Sequence, residues 1–386
     1  MTARESLKKI LNRMGLGFFL NFLRLLRFFG YAVIDIAGWV LLGLPILCMR
    51  SRVLKADQVK KILIIRLDRV GDVILSTPAI RAVRESYPDS NIDLLVAPYT
   101  KDLVVGNRNV DRVIVFGCEG LDKDYDVAIA LHPGLAQNYL VFKSGAAWRV
   151  GYTGWGGSFF LTHRVKDDRA VRVRHEVISA LEVVGRVGCV TKDVTLEVSQ
   201  TAQGDREARE FLDTNGIRPQ EPYVVIHPGA RQEHIRWYHD RFAQVADRIA
   251  GERGIKVVIT GGPLESGLVK QVKGLMRREA VYTTGLSLTG MVSLLKGSKL
   301  FVGNSTGPMH IAAALQIPVV AVIGTMHPLD SFQVWGPWGT TNIVLHKDME
   351  CKECHPSNCS TNYECLGQIS VEEVFDAALN LLKKNG

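Results

Sequence analysis

The sequence predicts an α/β chain with two doubly wound, Rossmann-like domains facing across a cleft, preceded by an apolar helical extension. Short apolar runs alternate with amphipathic helical stretches from Lys61 onward, the pattern of a parallel sheet covered on both faces. That series occurs twice, with a polar, Gly- and Pro-bearing link between the two halves. The 386 residues, 47% hydrophobic and 22% charged, leave room for two domains. The expected boundaries are 1–58 for a basic, membrane-associating extension, 59–214 for the first domain and 215–386 for the second, which carries a four-Cys segment at 351–365.

The extension holds the charge. Residues 1–61 carry eleven Lys or Arg against Glu5, Asp35 and Asp57, which is the whole net charge of +8; the other 325 residues balance at 36 basic and 36 acidic. A nucleic-acid binder would carry its basic stripe on the folded domain, so nucleic acid is not expected as a partner. Within this basic frame lie "LGFFLNFLRLLRFFG" and the nineteen residues "YAVIDIAGWVLLGLPILCM", Tyr31 to Met49. The second run is long enough to span a bilayer. Basic residues on both flanks give it no direction, which fits an in-plane or re-entrant segment with both ends on one side. The alternative is an apolar arm packed on the protein itself. A cleavable signal is not expected, because the apolar core starts late and lacks a small-residue cleavage site.

In the first half, "KKILIIRL", "NIDLLVAP", "DRVIVF" and "YDVAIALH" read as strands, "GDVILSTPAIRAVRESYP" as a loop and amphipathic helix, and "DVTLEVS" closes the half near Ser199. "TAQGDREAREFLDTNGIRPQEP" reads as a polar helix stopped at Gly216 and then a linker. The second half repeats the pattern: strands in "YVVIHPGA", "KVVITGG", "KLFVGN" and "PVVAVIG", with helices around "WYHDRFAQVADRIAGERG", Leu264 to Glu279, "MHIAAALQ" and "SVEEVFDAALNLLKK". Ligands of such sheets bind at the carboxyl ends of the strands, so the cleft between the halves is the expected site.

Three loops of the second half point there. In "GNSTGPMH" a strand runs into a helix through Ser305, Thr306 and Gly307, with Thr306 as N-cap and Pro308 in the first turn. The free N–H groups of that helix start suit an anion, and His310, one turn in, can face it. "HPGARQEHIRW" offers Gly229, Arg231 and Arg236, and "TGGPLE" offers Gly261, Gly262 and Glu265. Arginine suits phosphate and a carboxylate suits ribose hydroxyls, so the three loops together can hold a nucleotide diphosphate. In the first half, Gly71 allows a close turn and Asp72 begins a helix facing the cleft. A carboxylate there can be a general base for an acceptor hydroxyl, or simply an acid favoured by the helix dipole.

In combination, "RLDRVGDVILSTPAIRAVR", "HPGA…RW", "GGPLE" and "VGNSTGPMHIAAAL" resemble glycosyltransferase family 9, the heptosyltransferases of lipopolysaccharide core assembly, over roughly residues 61–383. The resemblance implies the GT-B fold. It also implies that Asp72 is the catalytic base, that Thr306, Gly307 and His310 bind the donor diphosphate, and that Glu265 binds ribose. Two positions depart from the family pattern: Ser305 stands where an Asp is frequent, and Ile235 where a Lys commonly meets the phosphates. Arg231 or Arg236 is then expected to substitute.

The activity implied is inverting transfer of a sugar, a heptose from ADP-heptose, to a lipid-linked saccharide of the lipopolysaccharide core. It would take place at the cytoplasmic face of a Gram-negative inner membrane, with the membrane surface as a partner and no metal required for catalysis. The alternatives are a protein O-heptosyltransferase and a non-catalytic sugar-nucleotide-binding scaffold at the membrane. Cys351, Cys354, Cys359 and Cys365 are spaced x2, x4 and x5, so a structural Zn or Fe is the metal expectation. The Asp122-x-Asp124 pair precedes a strand at its amino end, which reads as a solvated loop rather than a metal site.

Overall fold

The computed structural model describes residues 29–40, 56–232, 235–253, 255–324, 327, 329–349, 351, 354 and 359–384. Two six-stranded sheets form the frame, and every ladder in them is parallel. The first contains β1 (Lys61–Arg66), β2 (Asn91–Val96), β3 (Arg112–Val115), β4 (Val127–Ala130), β5 (Trp148–Thr153) and β6 (His163–Lys166), in spatial order β3-β2-β1-β4-β5-β6. The second contains β7 (Tyr223–His227), β8 (Lys256–Thr260), β9 (Val281–Thr283), β10 (Leu300–Asn304), β11 (Val319–Val322) and β12 (Asn342–Leu345), in order β12-β11-β10-β7-β8-β9. The second order is the first, mirrored in numbering. In each sheet the chain leaves its first strand in one direction and later returns on the other side, so the switch points lie between β1 and β4 and between β7 and β10. This is the two-domain GT-B architecture.

Burial explains the strands. Ile62, Leu63, Ile64 and Ile65 of β1 are wholly buried, alternate residues facing opposite helical layers, and each side chain is worth about 1.5–3 kcal/mol when removed from water. Four strands lie outside the apolar runs marked in the sequence. β5 carries Arg149 within its run, and β6, β9 and β12 are short and partly exposed, so their patterns are too weak to read. Residues 193–199 join neither sheet; Glu197 N–H donates to Thr77 Oγ1 and Ser199 N–H to Leu103 O. One apolar cluster runs from the first half into the second through Met309 and Ile311, so the halves are packed together beneath the cleft.

The helix Ala202–Thr214 that follows lies against Leu288–Gly297 of the second half. Glu207 accepts from Ser287 N–H at 2.6 Å, and Gly204 is so close to Thr289 that a Cβ would stand 2.5 Å from its carbonyl oxygen.

Most of the extension, residues 1–28 and 41–55, lies outside the described residues. Residues 29–40 form a helix that docks on the first half. Asp35 accepts from Ser158 N–H at 2.8 Å, Gly38 packs on Phe159, and the Arg164 guanidinium sits 4.4 Å from the centre of the Trp39 ring. Of the two readings of this segment, packing on the protein holds for this helix. Among the described residues, no helix is long and apolar enough to cross a membrane.

Candidate active site

The first switch point is built on Arg66, the last residue of β1 and wholly buried. Its guanidinium donates to Leu131 O at 2.6 Å, to Glu176 Oε1 at 2.8 Å and to Asp72 Oδ1 at 3.2 Å. Asp72 stands in the first turn of the helix Val70–Leu75, and its other oxygen accepts from Arg69 N–H at 3.2 Å. It therefore steadies the helix start and holds a place beside Arg66 at once. Glu176 is tied in turn to Arg169 at 3.2 Å, and Arg169 grips Asp167 at 2.8 and 3.0 Å. Asp68, on the loop between Arg66 and Asp72, lies 3.4 Å from Nδ1 of His132, which follows β4.

Burial dominates the titration of this cluster. It pushes the Asp72 carboxyl above the ordinary carboxylate range against the pull of Arg66, with Asp68 and Glu176 adding to the rise. Asp68 moves the same way for the same reason. Burial and the nearby Arg66 lower His132 to about 4, so its ring is neutral at physiological pH. Burial opposes the charge on Arg66, but Glu176, Asp68 and Asp72 together raise its pKa. One buried cation thus serves three carboxylates, and none of the three has it alone.

The second switch point is stitched by Asn304, the last residue of β10 and wholly buried. Its side chain accepts from Trp237 N–H at 2.8 Å and donates to Pro228 O at 2.9 Å and Gly229 O at 3.1 Å. One amide thereby fixes the loop after β7 against the loop after β10. Thr306 is the N-cap of the helix Gly307–Ala314 by position, but its hydroxyl donates to Asn304 O at 3.4 Å and makes no cap bond. The first-turn N–H groups of that helix are left without a side-chain acceptor. Ser305 Oγ donates to Trp335 O at 3.3 Å.

His310 is buried, its pKa lowered to about 3 by burial and by the neighbouring His175, and its Nδ1 has no hydrogen-bond partner. Arg236 likewise buries an Nε without a partner, while Arg231 is exposed. Beside this loop, Glu265 presses its carboxylate on Gly229, accepts from Gly262 N–H at 2.8 Å and lies 3.6 Å from His227 Nε2. Gly261 is closed off by Val269 and Glu265, so neither Gly229 nor Gly261 has room for a Cβ.

The two switch points meet. A Cβ on Gly71 would stand 2.5 Å from His310 Cδ2, and one on Gly307 would stand 2.9 Å from Val70 Cγ1. Farther along the interface, His175 takes Val177 N–H on Nδ1 at 3.3 Å and donates from Nε2 to Gly336 O at 3.0 Å. Both bonds suit the neutral ring, and burial lowers its pKa accordingly. The structure thus brings Gly71, Asp72, Ser305, Thr306, Gly307 and His310 to one place, and Gly229, Gly261, Gly262 and Glu265 to a second, joined through Asn304.

Arg66, Asp68 and Asn304 lie within the quoted motifs but had no role read for them, and His132, Arg169, His175 and Glu176 lie outside every motif. The one signal available was the charge that closes the apolar run "ILIIR". Elsewhere, Asp122 and Asp124 pair with Lys61 Nζ at 2.9 and 2.8 Å, at the start of β1 and away from the cleft. Cys351, Cys359 and Cys365 are free thiols; burial raises Cys365, and Cys359, Cys354 and Cys351 add to the rise. Among the described residues, no three Cys, His or acidic side chains are grouped so as to hold a metal.

Known proteins are similar to this chain. The profile of glycosyltransferase family 9 (heptosyltransferase) matches residues 119–364. Lipopolysaccharide heptosyltransferase 3 of Escherichia coli K12 is 28% identical over 343 residues, covering 82% of this chain and 96% of its own length. Among solved structures, a family 9 glycosyl transferase from Veillonella parvula superposes with a TM-score of 0.73 at 27% identity, covering 84% of this chain and 97% of its own. The ADP-heptose lipopolysaccharide heptosyltransferase II of Escherichia coli gives a TM-score of 0.69 at 21% identity, over 84% and 99%.

Proposed function

The chain belongs to glycosyltransferase family 9 and is a glycosyltransferase, and from that membership we propose that it transfers a heptose from ADP-heptose to a lipid-linked saccharide of the lipopolysaccharide core. Transfer is a single displacement with inversion and takes place at the cytoplasmic face of the inner membrane, without a catalytic metal. The observation that carries the reading is the contact between Gly71 and His310, which sets the carboxylate of one half beside the helix start of the other.

Asp72 takes the proton of the acceptor hydroxyl as its oxygen attacks the anomeric carbon, and the bond from that carbon to the diphosphate breaks on the opposite face. A carboxylate whose pKa is raised by burial is a stronger base than an exposed one. Arg66 holds Asp72 in place without fully neutralising it, because Glu176 and Asp68 share the same cation. The departing diphosphate, which carries away the electron pair, meets the Gly307 N–H at the start of the helix Gly307–Ala314, the His310 ring and the Arg236 guanidinium. His310, kept neutral by burial before the donor arrives, gains a proton beside the diphosphate and donates to it. Glu265, which lies beside Gly229, takes the ribose hydroxyls in this reading.

The test is incubation of the full chain with ADP-heptose and, separately, a GDP-sugar, in the presence of membranes bearing truncated lipopolysaccharide. Heptose in the lipid fraction, from the ADP donor alone, is the expected result. Label in protein would reassign the acceptor, and binding of ADP-heptose without transfer would leave a scaffold.

A further inference from the structure

A cavity of about 690 Å³ lies between the helix at 29–40 and the first half of the chain. Its wall includes Tyr31 from that helix, together with His132, Gln137, Tyr139, Trp155 and Phe160. Residues 29–40 stand outside the span 119–364 that the family profile matches, so Tyr31 adds to the cavity from beyond that span while the other five residues lie within it. We infer that the helix at 29–40 completes an acceptor pocket, and that the pocket takes a saccharide ring of the lipid-borne acceptor next to the ring that is glycosylated. The inference rests on the activity proposed above.

Three observations select that occupant. The cavity reaches the proposed base by two routes. His132 in its wall pairs with Asp68, which shares Arg66 with Asp72. Trp155 in its wall donates to Asp167 at 2.7 Å, and the chain continues through Arg169 and Glu176 to Arg66. The wall of the cavity is thus tied, side chain to side chain, to the cluster that holds Asp72, which suits an acceptor seated beside the proposed base.

The lining is also amphipathic. The rings of Tyr139 and Phe160 lie with centroids 5.7 Å apart at a 60° tilt, while the helix Leu135–Lys143 begins at the cavity with no side chain capping its first N–H groups. A sugar ring offers a C–H face to the aromatics and hydroxyls to the amides, His132 and Gln137. An acyl chain would leave those polar groups unpaired.

The third observation is the outer surface of the wall. Tyr31, Asp35 and Gly38 turn inward, and the opposite face shows Phe29 at 57%, Val33 at 63%, Ile36 at 64% and Val40 at 74% exposure. That spacing is one continuous helical stripe, and a continuous apolar stripe beside a pocket suits a lipid surface. A cavity backed by such a stripe suits a saccharide borne on a lipid.

The probe is the deacylated inner-core oligosaccharide of a truncated lipopolysaccharide, titrated into the full chain by calorimetry. Tyr31→Ala and Tyr139→Ala should each weaken its binding by about three- to tenfold, the loss of one aromatic contact. Ala136→Trp, at an exposed first-turn position on the cavity wall, should abolish it by filling the space. ADP-heptose binding, which involves the other half, should be unchanged in all three and reports that they are folded. Failure of the wild-type chain to bind the oligosaccharide, or equal affinity in all four proteins, overturns the pocket. Loss of binding in the variants with no heptose transfer by the wild type would keep the pocket and sink the proposed activity. Transfer with an unchanged acceptor KM in the variants would do the reverse.

Discussion

The imidazole of His310 lies directly on Gly71, at a separation that would put a Cβ at position 71 only 2.5 Å from His310 Cδ2. The two residues belong to different halves, and each stands one turn or less from the group proposed to act, the Gly307 helix start and Asp72. The pair therefore measures how closely the halves approach.

Gly71→Ala should separate them. The helix Val70–Leu75 itself tolerates alanine, a better helix former, but crowding a buried ring costs about 1–3 kcal/mol, so the melting temperature should fall modestly. The added methyl must displace a buried ring, and turnover should fall by roughly tenfold, about 1.4 kcal/mol of lost positioning. Steady-state kinetics and thermal melts on the same sample check it; full activity would show that the contact is incidental.

Asp72→Asn keeps the shape and loses the base. Turnover should drop by roughly two to four orders of magnitude, the range for general-base loss, while ADP-heptose affinity stays near wild type. A carboxylate that only steadies its helix would cost about 1 kcal/mol of stability or less and leave turnover almost intact. Calorimetric donor binding and product formation, measured together, separate the two roles.

His310→Ala and Thr306→Ala should weaken donor binding. His310 adds a finer signature. Burial and the neighbouring His175 lower its pKa to about 3, and a diphosphate beside it favours the protonated ring. Donor binding should then take up protons, seen as a binding enthalpy that changes with the ionisation enthalpy of the buffer. The uptake should vanish in His310→Ala. Identical enthalpies in all buffers for the wild type would show that His310 stays neutral throughout.

Stability should fall on acidification. His310 and His132 are lowered to about 3 and about 4 from an ordinary 6.5, so between those values the unfolded chain binds more protons than the folded one. Their contribution is complete above pH 6.5 and is lost as the pH drops toward their folded values. Asp68 and Asp72, whose pKa values are raised, work in the opposite direction within the carboxylate range. Replacing the imidazole, as in His310→Gln, should flatten the fall of melting temperature between pH 6.5 and 4. An unchanged slope would place the acid sensitivity elsewhere.

The sequence by itself determined the repeated strand–helix pattern, the loops that hold Asp72 and lead to His310, and the family. Each of these is written in contiguous residues: apolar runs such as "ILII", and Gly, Pro and Thr at helix starts. The four strands it left unread are the ones whose own residues conflict with the pattern, as Arg149 does in β5. Thr306 shows the limit within a single loop. Its position as N-cap was legible, but its hydroxyl turns to Asn304, a choice made by neighbouring groups rather than by local propensity.

Only the tertiary structure decided who serves Asp72. Arg66 meets Glu176 across 110 positions, and Asn304 meets Gly229 across 75. Polar side chains buried at such points must find a partner wherever the fold puts one, because an unpaired charge in that setting costs several kcal/mol. The same holds for the extension. Its composition announced an apolar helix, but the docking of Asp35 on Ser158 and of Gly38 on Phe159 depends on a surface that exists only after β5 and β6 have joined the sheet.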